Sequence, residues 1–507
     1  MRLRLLGLLA LWTVVPATAT AAPVLVLGPG AAAVVRNDPF LSAQALTPAP
    51  SSWPPARPRT APARSTANPA AAAAATAAAA PKAAKQRVRK RIRTALSELA
   101  RLYHAGAISP ATYAADSAQV RAADAALRRL TGTRAGELGA VLQTLNAIAA
   151  TGQLTPSRLP ALMLTLQRNV QWWTTGPLLS NYQRVEFAGS QLVWEYYSGQ
   201  GIQLQELGSF GKADGLYTAG AADYPQLTGL LAQLVPLAAT RPHGGLAWEY
   251  YFNWDGGTPP WTSAMSQGTA LEALTRAYLA TGQRSYLAVA HEALPIFGTA
   301  PPLGVFEKTA AGARYLQYSF APSTDIINAF LQSLIGLYDY AHASGDPGAA
   351  ALFAAGNAQA QLELPQFDTG AWSLYQPGIE DTLDYHLLVT GFLQQLCQLT
   401  AAPVYCTTAT HFSSYLTTPP ALGLLTTSAR ANKPVTIAFR LSKYSHVGIV
   451  VTDATKTVFL TSGYFGYGVD SFSVPALTTR GVYGIRLAAT DLAGNFARVQ
   501  GTLTVTR

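Results

Sequence analysis

Three tyrosines, Tyr318, Tyr375 and Tyr385, with His386 directly after the last, are the side chains of this sequence best suited to moving protons. A phenol with an ordinary pKa of about 10 is a strong base once deprotonated and a competent acid while protonated. An imidazole beside it can tune or relay the proton. Upstream, residues 261–268 read Trp-Thr-Ser-Ala-Met-Ser-Gln-Gly, and Trp261, Ser263, Gln267 and Gly268 are expected to shape a turn and line a cleft. The signatures of other chemistries are missing: there is no Gly-rich phosphate loop, no zinc-ligand spacing and no nucleophile elbow. The chain has 23 tyrosines, so most are packing residues. Tyr196, Tyr197, Tyr250, Tyr251 and Tyr278 are expected to sit in helices or turns.

The elements that must hold these residues are mostly helical. Ile92, Leu96, Leu99 and Leu102 recur at three- and four-residue spacing. The helical pattern runs to about residue 173, with Ser109-Pro110 and Thr155-Pro156 as helix starts. From 174 to 427, helical stretches alternate with Gly/Pro turns, and Leu192-Val-Trp-Glu-Tyr-Tyr197 returns as Leu246-Ala-Trp-Glu-Tyr-Tyr251. A repeat of this kind implies one supersecondary unit stacked several times, and helix pairs in an α/α toroid are the natural arrangement. From 428 to 507 the period changes to two, with Val435, Ile437, Phe439 and Leu441, then Val447, Ile449 and Val451. About 80 residues with this pattern suit one small β-sandwich. The expected fold is therefore mainly α: an α/α toroid preceded by a helical region, 82–173, and followed by a β-sandwich.

The chain starts with Arg2 and Arg4, an apolar run over 5–15 and small residues through 22, the pattern of a secretory leader. At about 11 residues the apolar run is too short for a bilayer span of about 20. Export to the cell envelope or beyond is the expectation. Residues 23–81, rich in Pro, Ala, Ser and Thr, read as a disordered linker. Lys82 to Arg93 holds seven basic residues in twelve. It reads first as the solvated start of a helix and second as a contact for an anionic envelope polymer. The net charge of +10 belongs to the N-terminal arm: residues 1–93 carry 13 Lys/Arg and one acid, the remainder 23 and 25. No basic, aromatic-lined folded face for nucleic acid is evident. In an exported chain Cys397 and Cys406 are expected to form one disulfide. No cluster calls for a metal or an organic cofactor, and a homodimer is an open expectation.

Several strings together resemble the C-terminal domain of the D-glucuronyl C5-epimerases, over about residues 190–415. They are Glu249-Tyr-Tyr-Phe252, residues 257–268, Leu274-Thr-Arg-Ala-Tyr-Leu279, residues 328–339, Asp368-Thr-Gly370 with Tyr375 five residues on, and Asp384-Tyr-His386. The segment 481–495 is similar to the end of bacterial immunoglobulin-like sandwiches. The resemblance implies an enzyme that inverts uronic acid residues within an acidic polysaccharide, with Tyr318 and Tyr385 as opposed base and acid and Tyr375 assisting. Two departures stand out. Gln317 occupies the place of a Glu, so one candidate base is missing, and Gln376-Pro-Gly follows Tyr375 where the family continues Asp-Leu-Arg-His. The second change removes an Arg suited to gripping a carboxylate, for which Lys212, Arg314 or Lys308 are the candidate substitutes. His386, Lys212, Gln267, Trp261, Arg314 and Gln317 are the expected substrate-contacting residues. Two alternatives stand beside this reading. A non-catalytic glycan-binding or envelope protein would use aromatic grooves alone. A lyase or hydrolase on the same toroid would, as a hydrolase, need paired carboxylates about 5 Å or about 6.5–9.5 Å apart, from among Glu195, Glu249, Asp255, Glu380, Asp381 and Asp384.

Overall fold

The computed structural model describes residues 21–28, 33–42, 93–242 and 245–507. Most of the expected leader, the tract 43–81 and the basic run from Lys82 to residue 92 lie outside them. Strands β1 (Ala21–Leu27) and β2 (Ala33–Ser42) form an antiparallel hairpin. Four helices follow: α1 (Ala95–His104), α2 (Pro110–Leu127), α3 (Gly132–Ala150) and α4 (Leu159–Thr175). Ser109 caps α2 by accepting from the Thr112 amide, with Pro110 in the first turn where its missing N–H is harmless. Then come β3 (Arg184–Phe187), β4 (Trp194–Tyr197) and β5 (Gly201–Leu204). They join the hairpin in one five-stranded sheet of order β2-β1-β3-β4-β5, in which β1 and β3 run parallel.

This sheet corrects two sequence-based expectations. Residues 23–27 and 33–42 form strands, because Val24 and Leu27 bury their side chains and β1 finds a partner in β3, about 160 residues away. Tyr196 and Tyr197 lie in a strand, and Tyr250 makes an isolated bridge to Trp261.

The toroid is built from helix pairs. Four helices pack side by side in series: α5 (Glu206–Ala219), α7 (Ala264–Thr281), α9 (Ile327–Ser344) and α11 (Leu383–Thr400). Each is backed by the helix that follows it: α6 (Tyr224–Leu234), α8 (Ser285–Ala293), α10 (Pro347–Glu363) and α12 (Pro403–Tyr415). Short two-stranded links connect the pairs: β6 (Ala239–Thr240) with β7 (Leu246–Ala247), β8 (Phe306–Lys308) with β9 (Ala313–Tyr315), and β10 (Leu374–Gln376) with β11 (Ile379–Glu380). Cys397 and Cys406 are disulfide-bonded, tying α11 to α12. The first four helices, the N-terminal sheet and the toroid share one hydrophobic core. Helices α7 and α9 touch backbone to backbone. A Cβ on Gly268 would lie 2.7 Å from the Ser333 Cα, and one on Gly336 would lie 2.0 Å from the Gly268 carbonyl oxygen.

The C-terminal unit is a sandwich of two sheets. One has the order β12-β14-β17, from β12 (Leu422–Leu424), β14 (Val435–Leu441) and β17 (Gly468–Val474). The other has the order β13-β19-β18-β15-β16, from β13 (Ser428–Arg430), β15 (Ser445–Thr452), β16 (Thr457–Phe465), β18 (Gly481–Asp491) and β19 (Phe496–Thr506). Val435, Ile437, Phe439, Leu441, Val447, Ile449 and Val451 all point into its separate core. The first strand of the sandwich starts at Leu422, ahead of the expected boundary at 428.

Candidate active site

The three tyrosines reach one cleft from three different elements. Tyr318 follows β9 on the approach to α9, Tyr375 is in the β10–β11 hairpin, and Tyr385 stands in the first turn of α11, which Thr382 caps by accepting from the Tyr385 amide. The cleft is also lined by Tyr197, Tyr250, Phe252, Trp254, Trp261 and Met265, with Gln205, Ser263, Gln317 and Asn328 as its polar groups. Trp261 stacks on Tyr250 with centroids 4.3 Å apart and meets Tyr318 edge-on at 5.7 Å. Tyr375 and Tyr385 pack at a tilt of 57° with ring centroids 5.0 Å apart. The Trp254 indole N–H donates to the Tyr318 hydroxyl at 3.1 Å, and the Tyr375 hydroxyl also donates to Tyr318.

None of these lining residues is charged, and that governs the electrostatics. Burial raises the pKa of Tyr318, partly offset by the hydrogen bonds it accepts. Burial raises Tyr375 and Tyr385 further, and each also feels neighbouring phenols and the carboxyl of Asp381. All three are therefore neutral donors at neutral pH. Such an arrangement can hydrogen-bond and protonate an oxygen or carbon immediately, and it supplies a base only as phenolate forms.

The other expected contact residues divide. Trp261 and Gln317 line the cleft, and the Ser263 hydroxyl reaches the Gln317 side-chain oxygen at 3.4 Å. Gln267 does not line it: it is fully buried and its amide nitrogen donates to the Trp248 carbonyl at 2.9 Å, holding the second copy of the repeated string against α7. Gly268 permits helix contact and shapes no turn. Lys212 is sealed between Asp38 at 2.7 Å and Glu186 at 3.0 Å and lines a neighbouring cavity of about 300 Å³. Arg314 is held by Glu307, Asp325 and Glu363. Neither cation is available to the cleft, because each is neutralised by the carboxylates around it.

His386 is also displaced from the cleft. It is wholly buried, stacked on Trp372 at 3.8 Å, and its Nε2 donates to the Phe412 carbonyl at 2.9 Å. Its Nδ1 lies 2.7 Å from the Ser373 hydroxyl, which also bonds the Asp381 carboxyl. Burial depresses the imidazole to about 4 and lifts Asp381 to about 7. This chain of neutral groups braces the tyrosine-bearing hairpin against α11.

The hairpin is braced from the sandwich too. The buried Glu380 carboxylate accepts from the backbone amides of Tyr444 at 2.8 Å and Tyr467 at 2.9 Å. Lys443, itself buried, pairs with Asp491 at 2.6 Å and donates to the Tyr415 carbonyl at 2.8 Å. Glu195 and Glu249 hold matching structural posts. Glu249 is buried between Arg158 and Arg241, and Glu195 lies 3.7 Å from Arg184. Sequence reasoning missed Tyr197, Tyr250, Phe252, Trp254 and Asn328 as cleft residues. The recurrence of Trp-Glu-Tyr-Tyr was the available signal.

A mainly helical α/α toroid, carrying an aromatic cleft with three phenols and followed by a β-sandwich, is thus the class this chain defines. Residues 243–414 match the family described as D-glucuronyl C5-epimerase C-terminus. A D-glucuronyl C5-epimerase of Caenorhabditis elegans is 29% identical over 178 residues, 31% of this chain and 29% of the relative. An uncharacterised protein of Methanocaldococcus jannaschii is 26% identical over 137 residues, 26% of this chain and 44% of the relative. The chain thus spans less than half the length of these curated relatives. Among solved structures, a GH76 α-mannanase of Bacteroides thetaiotaomicron aligns with TM-score 0.34 at 13% identity, over 45% of this chain and 65% of that one. A cellobiose 2-epimerase from Bacillus thermoamylovorans aligns with TM-score 0.32 at 10% identity, over 51% and 72%.

Proposed function

We propose that this chain is a carbohydrate epimerase that inverts C5 of uronic acid residues within an acidic polysaccharide. The observation that carries this reading is the convergence of Tyr318, Tyr375 and Tyr385 on one aromatic cleft inside the family-matched segment. In this scheme a phenolate on one face, from Tyr318 or Tyr385, takes the C5 proton. The electron pair passes into the adjacent carboxylate, whose charge is offset by hydrogen bonds from the remaining neutral phenols, with Tyr375 closest to that task. The opposite phenol then delivers a proton to C5 from the other face, and exchange with solvent restores the starting protonation. Aromatic walls hold the sugar ring while these transfers occur. We place the protein outside the cytoplasm, a reading supported by the leader-like start and the disulfide.

One observation favours a second reading, a glycan-binding protein without catalysis: the cleft holds no charged residue among those described, so no cation in it favours phenolate. A hydrolase is less well supported, since none of Glu195, Glu249, Asp255, Glu380, Asp381 and Asp384 lines the cleft. Incubation with heparosan and a bacterial glucuronan, read by NMR for the inverted sugar and by ultraviolet absorbance for a new double bond, separates these cases. Inverted sugar without absorbance is expected. Absorbance would indicate a lyase, and neither signal with retained binding would leave the glycan-binding reading.

A further inference from the structure

The charge of the folded chain is unevenly placed. Residues 421–507 carry nine Lys/Arg and three Asp/Glu, a net of +6, whereas residues 94–420 carry 14 and 22, a net of −8. The sandwich is therefore the cationic part of the described body, while the proposed substrate is a polyanion.

Two of these nine cations, Arg486 and Arg498, share one sheet face, which the strand register defines. On the solvent side of the five-stranded sheet, Tyr464, His446, Thr490 and Phe496 form one row across β16, β15, β18 and β19. The next row is Ser462, Gly448, Ala488 and Arg498, and the third is Leu460, Val450, Arg486 and Gln500. Three inter-strand gaps of ~4.8 Å make this platform about 14 Å wide. Its floor of Ser462, Gly448 and Ala488 is flat because those side chains are small. Aromatic rings rise at its two edges, with Tyr464 65% and Phe496 58% exposed. The Tyr444 ring stacks on Tyr464 with centroids 5.8 Å apart. No carboxylate stands in these rows, and the guanidinium groups of Arg486 and Arg498 have no partner among the described residues. Two exposed rings and two guanidinium groups thus share this one face.

We propose that this sheet face is a second glycan-binding site, separate from the tyrosine cleft, and that it takes an acidic polysaccharide. The rings at its edges would stack on sugar faces, while the planar forks of Arg486 and Arg498 pair with carboxylates along the chain. The aromatic row lies at the end of the sandwich that abuts the toroid, where the Tyr444 amide meets Glu380 beneath the Tyr375 hairpin. A polymer held there stays at raised local concentration around the same body that carries the cleft. The choice of a uronate polymer as ligand rests on the proposed epimerase reading, but the binding itself does not require turnover.

The test is calorimetric titration of the full chain with heparosan, dextran and duplex DNA at low and raised salt. Wild type is expected to bind heparosan, more weakly as salt rises, and not dextran. Arg486→Gln with Arg498→Gln is expected to lose about tenfold or more in affinity, as loss of two charge-assisted contacts implies. Tyr464→Ser with Phe496→Ser provides an independent loss through stacking, and retained circular dichroism verifies the fold of both. Undiminished heparosan binding in both double variants, equal binding to dextran, or equal binding to DNA would each overturn the proposal. Arg-dependent binding without any sugar inversion would sustain this site while removing the epimerase reading. Inversion with Arg-independent binding would do the reverse.

Discussion

Tyr318, Tyr375 and Tyr385 sit in a cleft whose walls are aromatic and whose polar groups are amides and hydroxyls, so their acidity is set by burial and by one another. Burial penalises the phenolate, and among the described residues no cation lines the cleft to recover it. In the proposed reaction the active base is the minor form at neutral pH. Its population grows about tenfold per pH unit until the raised pKa is reached. The rate of inversion under subsaturating substrate should therefore climb from pH 7 to pH 10. His386 is not the base in this range because it is buried, neutral and committed to Ser373 and Phe412. A pH–rate profile that peaks near pH 7 would show that another group is the base.

At the scale of elements, the cleft is held open by contacts that leave little slack. Helices α7 and α9 meet through Gly268 and Gly336, and a methyl group at either position would run into backbone, which cannot move aside as a flexible side chain can. Gly268→Ala should lower stability by about 1–3 kcal/mol, as overpacking does, read as a fall in the thermal midpoint. An unchanged midpoint would mean that the helices can separate freely. Much of this framework was legible in the sequence. The helical periodicity after residue 93, the capped starts, the switch to period two and the tyrosine-bearing strings all reported local structure. What depended on distant partners was not legible. The β1–β2 hairpin was hidden in a Pro- and Ala-rich tract because its stabilising neighbour, β3, lies far along the chain. Lys212 and Arg314 looked available only because Asp38 and Glu186, and Glu307, Asp325 and Glu363, are remote or unremarkable in sequence. His386 looked like a relay because adjacency to Tyr385 suggests shared work, yet successive residues on a helix point in different directions.

The whole molecule buries several acids at a cost that depends on pH. Burial raises Glu195, Glu380 and Asp381 to about 7 each, well above unfolded carboxyl values. Between about pH 4.5 and 7 the folded chain then holds more protons than the unfolded one, so stability declines as pH rises through that window. His386 acts oppositely: depressed to about 4, it stays neutral when folded and accepts a proton when unfolded, so stability falls as pH drops below about 6.5. Three acids outweigh one imidazole. The thermal midpoint should be higher at pH 5 than at pH 8, by an amount on the order of a few kcal/mol in stability. A midpoint that rises from pH 5 to pH 8 would show that these carboxyls are ionised in the fold. Glu380 links this behaviour to the site, because the same buried carboxylate joins the sandwich to the hairpin that presents Tyr375.

The central claim is that phenols in this cleft move the C5 proton of a uronic acid residue. Its most direct measurement is incorporation of deuterium at C5 when the full chain is incubated with heparosan or a bacterial glucuronan in D₂O, read by NMR and repeated with Tyr385→Phe. Uptake at C5 together with inverted sugar, reduced about 10²–10⁴-fold in the variant, is the expected result. No uptake on either polymer, or uptake that Tyr385→Phe leaves unchanged, would contradict it.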